Sequence, residues 1–189
     1  AVKSRLSTYS PFSLNLDSDE NTGDLFEYCI SQLKNISSFL PIEDLASRVA
    51  TNSGGLFLFA KQVMTEIEEG RISTASLDEI PGSLGAIYLR NLRRAVQGDI
   101  KLDEELGPLL TMIGGIKGPA PIDLIADASG IKVLRARAII KKISSFLTFK
   151  GDCVEFFHKS FFDWLSDPQG MAEEFMIDVE EGKKCITYA

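Results

Sequence analysis

The strongest constraint in the chain is a change of hydrophobic period near residue 145. Before that point, apolar residues recur at helical spacing for more than a hundred residues. After it, Phe146-Leu147-Thr148-Phe149 and Cys153-Val154-Glu155-Phe156-Phe157 form two short aromatic and β-branched runs. Such runs suit a pleated, half-buried surface. Between them Lys150-Gly151-Asp152 predicts a three-residue hairpin turn with Gly151 at its sharp position. The chain therefore folds as helices first and a hairpin late.

The helical part divides in two. Leu25, Phe26, Cys29, Ile30 and Leu33 mark a helix beginning near Asp24, and Pro41 opens a second with Ile42, Leu45, Ala46 and Val49 inward. A third runs from about Gly55 to Glu69 and stops at Gly70. Ser83 caps a fourth, carrying Leu84, Ile87, Tyr88 and Leu92 on one side. After Gly98 a new group starts. It comprises an apolar helix over 106–116, a break at Pro119-Ala120-Pro121, a helix over 122–128 and a helix over 132–145. Three helices followed by a hairpin is the winged-helix order. The expected fold class is mainly α, a small helical bundle followed by a winged-helix domain with a β-hairpin. Expected boundaries are 1–20 for the tail of a preceding core, with Phe12, Leu14 and Leu16 strand-like, then 21–98 for the helical domain. The winged-helix domain covers 99–168, and 169–189 starts a following helical or repeat region.

Charge and composition narrow the function. A net charge of -7 repels phosphate backbones, so nucleic-acid binding is not the expected role. No apolar run approaches the ~20 residues of a membrane span. The cysteines, Cys29, Cys153 and Cys185, are dispersed and the chain has one histidine, so a zinc site is not expected and reduced thiols in a cytoplasmic protein are.

Catalytic motifs are absent from the sequence. It has no G-x-x-x-x-G-K-[ST] phosphate cradle. Gly54-Gly55 and Gly114-Gly115 read as helix-end or close-packing glycines, and Glu68-Glu69 and Asp103-Glu104-Glu105 as solvated faces. His158 stands where the aromatic strand hands over to a helix over 158–165. Two readings are open for it: a donor to a phosphate oxygen at a helix N-terminus, or a residue that merely caps or packs that helix. The surrounding Phe156, Phe157, Phe161, Phe162 and Trp164 read as core. Lys132, Arg135, Arg137, Lys141 and Lys142 lie on the helix that would enter a major groove in a DNA reader, but they spread around its circumference.

Three segments, in order, resemble the NACHT-type STAND NTPases. Ile42-Glu43-Asp44-Leu45-Ala46, then Ser53-Gly54-Gly55-Leu56-Phe57-Leu58-Phe59-Ala60-Lys61, resembles their helical-domain signature, in which a "(S)xGLFLYAKL" segment follows a short helix. Leu77-Asp78-Glu79-Ile80-Pro81-Gly82-Ser83-Leu84 with Tyr88 is similar to their "LPxxLxxxY" stretch. Phe156-Phe157-His158-Lys159-Ser160-Phe161-Phe162-Asp163-Trp164-Leu165-Ser166-Asp167-Pro168 resembles the "FxHKSFxDFLxDP" signature that ends their winged helix. The resemblance spans about residues 12 to 178.

It implies the regulatory lid and relay of an ADP/ATP-gated signalling switch of the NOD-like receptor or ankyrin/WD-repeat type. The expected partners are a P-loop NTPase core of the same protein, a C-terminal repeat domain, and further copies of the full-length protein on activation. ADP or ATP with Mg is the implied cofactor of the whole protein. This stretch is expected to hold no nucleotide tightly and to be no enzyme. The implied nucleotide contacts are His158 on the β-phosphate, Phe57 where relatives carry an adenine-packing proline, and Arg5 as the remnant of a phosphate-sensing "TSR" segment. No catalytic residue and no metal ligand are expected. The alternatives are a winged-helix DNA-binding regulator, or an interaction scaffold without nucleotide coupling.

Overall fold

The computed structural model describes residues 19–36, 41–74, 77–168 and 173–188. It is mainly helical, with one small antiparallel sheet, as the change of period requires. The expected strand around Phe12 to Leu16 and the residue Arg5 lie outside the described residues. Among the described residues, no helix is long and apolar enough to cross a membrane.

The chain divides into two compact units, the first ending at Leu84. In it α1 (Asp19–Ile36), α2 (Ile42–Ser53) and α3 (Phe57–Glu68) pack on one another. Their apolar stripes make the core. Leu25, Cys29 and Leu33 are buried from α1, Leu45, Ala46 and Val49 from α2, and Phe59, Ala60, Val63, Met64 and Ile67 from α3. Burial pushes the Cys29 thiol up to about 11. α2 ends at Gly54, and Gly54 and Gly55 have φ of 53° and 82°, a left-handed pair that L side chains resist. After α3 the chain folds back on Glu66. Its backbone carbonyl accepts from the N–H groups of Arg71 and Ile72, and its buried carboxylate pairs with Arg71 at 2.7 Å.

The second unit begins at Gly85, inside the first turn of α4 (Leu84–Ala95), and not after Gly98. α4 thus belongs with the hairpin rather than with the first three helices, because Tyr88 is buried against the aromatic residues of the winged part. An amphipathic stripe tells that a helix packs, not on what. A five-residue π-type turn (Leu102–Leu106) leads into α5 (Gly107–Gly115), with Pro108 in its first turn where no N–H is needed. α6 (Ile122–Ala128) and α7 (Val133–Lys142) follow, and α7 gives way to a 3₁₀ turn over Ser144–Phe146. Phe146, expected to start a strand, is therefore a buried turn residue.

The sheet has the order β1-β3-β2, all antiparallel. β2 (Leu147–Lys150) and β3 (Cys153–Phe156) pair Lys150 with Cys153, so the hairpin has two loop residues, not three. Gly151, at φ 63°, takes the first loop position, where such turns require a positive φ. β1 (Ala120–Pro121) is the strand that Pro119-Ala120-Pro121 concealed. It lies at an edge of the sheet, where a proline without an N–H is tolerated.

α8 (Lys159–Ser166) leaves β3 through His158, and α9 (Val179–Tyr188) returns to pack on α5. The tail expected to lead away thus closes on the domain it follows. A Cβ on Gly115 would fall 2.5 Å from the Gly182 carbonyl carbon, and one on Gly182 would collide with the Thr111 carbonyl oxygen. The two helices cross at backbone distance because neither glycine has a side chain.

Candidate functional site

The site grows from the junction of β3 and α8. His158 has an extended backbone (φ -153°, ψ 146°) and is the N-cap of α8. Its carbonyl accepts the first intrahelical bond, from Phe161 N–H. Asp, Ser, Thr and Asn usually fill this position. Here the imidazole does, with Nδ1 accepting from the Ser160 backbone N–H at 3.1 Å. The capping reading of His158 is therefore correct, and it does not displace the other one. The residue is exposed, and Nε2 has no partner among the described residues.

Ser160 ties this cap to the interior. Its Oγ lies 2.6 Å from His158 Nδ1 and 2.8 Å from the hydroxyl of Tyr88. Tyr88 is 2% exposed. Burial raises its phenol above the ordinary range, and the Ser160 hydrogen bond opposes that shift. An aromatic cage holds the ring: Phe161 meets it edge-on at 5.1 Å, Trp164 at 5.6 Å and Phe157 at 6.1 Å, while Phe146 stacks on Phe161 at 4.6 Å. Each perpendicular contact sets a positive ring edge against a negative ring face. Of the aromatic residues expected in the core, Phe161 is buried and Phe156, Phe157, Phe162 and Trp164 are half-buried; together they fix the relay from Tyr88 to the exposed imidazole. The pairing of Tyr88 with Ser160 joins residues far apart in sequence, which no local pattern encodes.

Phe57 belongs to the first unit. It is the first residue of α3, 54% exposed, beside the 53% exposed Leu56. Its ring lies 4.6 Å from that of Tyr28, tilted by 52°. This leaves an aromatic face open to solvent at a helix start, the kind of surface that can cover a flat ring. Arg5 is outside the described residues. Among the described residues, no group of three or more His, Cys, Asp or Glu side chains could hold a metal ion.

The basic helix α7 has carboxylate partners that the sequence did not reveal. Arg135 grips Glu105 with two nitrogens at 2.6 and 2.7 Å and reaches Asp99 at 2.7 Å. Arg137 grips Asp152, at the hairpin tip, and also Asp123 on α6 at 2.9 Å. Lys142 joins Asp99 at 2.5 Å. Hydrogen bonds from Arg135 and from the Lys101 backbone hold Glu105 down to about 2. Those from Lys142 and Arg135 hold Asp99 well below the carboxylate range. These cations brace the winged domain and are not free to grip a phosphate backbone. The solvent side of α7 is instead marked by Leu134, 84% exposed. Comparison of the chain with protein-family models, with curated proteins and with solved structures finds no match.

Proposed function

We propose that this chain is the regulatory lid and relay of an ADP/ATP-gated signalling switch of the NACHT type. The observation that carries the reading is the imidazole of His158. It stands exposed at the N-terminus of α8, with Nδ1 engaged inside the domain and its Nε2 edge turned to solvent. A helix N-terminus favours an anion, and a rigidly held donor beside it suits a phosphate oxygen. The three segments that resemble the family support the same reading, since the most specific of them contains His158.

In this account a P-loop core of the same protein holds the nucleotide, with Mg, and His158 touches the β-phosphate from another domain. Such a contact links domain closure to nucleotide state, because only the closed arrangement gains it. Loss of the contact releases the closed state and lets copies of the full-length protein assemble. Phe57 supplies an aromatic cover in place of the adenine-packing proline of relatives. The chain itself performs no catalysis, and without a phosphate cradle it holds nucleotide poorly. Calorimetry of ADP and ATP against residues 1–189 tests this directly: no heat of binding at micromolar ligand is expected, and micromolar affinity would refute the division of labour. The DNA-binding alternative loses support from the ion pairs of Arg135, Arg137 and Lys142.

A further inference from the structure

We infer that Ser160 and Tyr88 are positioning residues that hold His158 as its Nε2–H tautomer. The argument starts from one group whose role is not adjustable. A backbone N–H can only donate, so the Ser160 amide, 3.1 Å from His158 Nδ1, requires a lone pair there. A neutral imidazole carries one proton, which must then be on Nε2. With a lone pair at Nδ1, the Ser160 hydroxyl 2.6 Å away is the donor of that bond. Its only hydrogen is thereby committed, so the Tyr88 hydroxyl, 2.8 Å from Ser160 Oγ, must donate to Ser160. One amide thus sets the direction of every proton from the buried phenol of α4 to the exposed ring at the start of α8.

The consequence is chemical selectivity at the outer edge of the ring. The Nε2–H tautomer presents a donor to solvent, which matches an anionic oxygen. The other tautomer would present a lone pair and repel it. Tyr88, on α4, and His158, at the start of α8, are joined only through Ser160 in this relay, so a shift of α4 away from α8 would withdraw the Tyr88 donor. The use of the outward donor on a nucleotide phosphate rests on the function proposed above. The tautomer itself does not.

The chain contains a single histidine, so its two imidazole nitrogens can be read without ambiguity in a ¹⁵N spectrum of the 189-residue chain. The measurement is made at about pH 8.5, above the ordinary imidazole range of about 6.5. The wild type is expected to show an unprotonated nitrogen at Nδ1 and a protonated one at Nε2, without averaging. Ser160→Ala keeps the backbone amide donor but loses the closer hydroxyl donor and its Tyr88 backing, so both resonances should move part of the way toward each other. Tyr88→Phe should move them less, and Ser160→Thr should restore the wild-type pattern. Unchanged resonances in a folded Ser160→Ala chain, or averaged resonances in the wild type, would overturn the inference. Should Tyr88→Phe fail to fold, the alanine and threonine variants of Ser160 decide it. A normal tautomer pattern together with unaltered ADP retention in His158→Ala would sink the switch and leave this relay standing.

Discussion

Arg135 on α7 holds Glu105, in the turn before α5, by a two-pronged ion pair whose two N···O distances are 2.6 and 2.7 Å. The fork of the guanidinium matches the two carboxylate oxygens, a geometry that lysine cannot reproduce. Because the folded state keeps Glu105 ionised down to about 2, below its ordinary value near 4, the pair contributes stability that is complete above that ordinary value. It is lost as pH falls toward 2. Arg135→Ala should therefore lower the thermal midpoint at pH 6, and the gap from wild type should narrow steadily between about pH 4 and pH 2. A gap that stays constant across that range would mean that the pair does not brace the domain.

The same pairing bears on nucleic acid. With Arg135, Arg137 and Lys142 held by carboxylates, a mixed DNA duplex should give no gel shift at about 10 μM protein in physiological salt, the middle of the usual range for non-specific binding. A complex that forms at lower concentration and weakens steeply with salt would favour the winged-helix DNA regulator instead.

In the first unit, Glu66 is 1% exposed and its partner Arg71 is 32% exposed. Arg71 brings a guanidinium to a buried carboxylate, so Arg71→Ala should cost about 3 kcal/mol in urea unfolding, the low end for breaking a buried pair. Glu66→Gln should cost less, since it removes the charge and keeps an acceptor. Equal effects of the two substitutions would argue that packing, not charge, dominates there.

At the crossing of α5 and α9, alanine is ordinarily the better helix residue, by about 1 kcal/mol over glycine. Gly182→Ala should nevertheless loosen α9, because its Cβ would collide with the Thr111 carbonyl. Limited trypsin digestion at Lys183 and Lys184 reads this out. Faster cleavage in the variant is expected, and slower cleavage would contradict the close approach.

How much of this could be read in advance depends on the range of each interaction. The stripes of α2 and α3 and the hairpin runs are local patterns, and they emerged within a residue or two of where the periodicity placed them. The strand Ala120–Pro121 did not, since two residues carry no period and proline ordinarily argues against a strand. Nor did the affiliation of α4, the return of α9, or the carboxylates that hold α7, because each depends on partners distant in sequence. The candidate site was half legible. His158 stood out by its motif and its solitude, whereas its attachment through Ser160 to Tyr88 needed the fold.

The most direct test of the switch uses the longer protein from which this region would come, carrying a G-x-x-x-x-G-K-[ST] loop ahead of Ala1. ADP release from that protein is timed by nucleotide exchange, with and without His158→Ala. A hydrogen bond to a charged phosphate contributes about 1.5 to 3 kcal/mol, so the variant should release ADP at least about tenfold faster and assemble more readily. An unchanged release rate, in a variant whose domain remains folded, would contradict the central role given to His158.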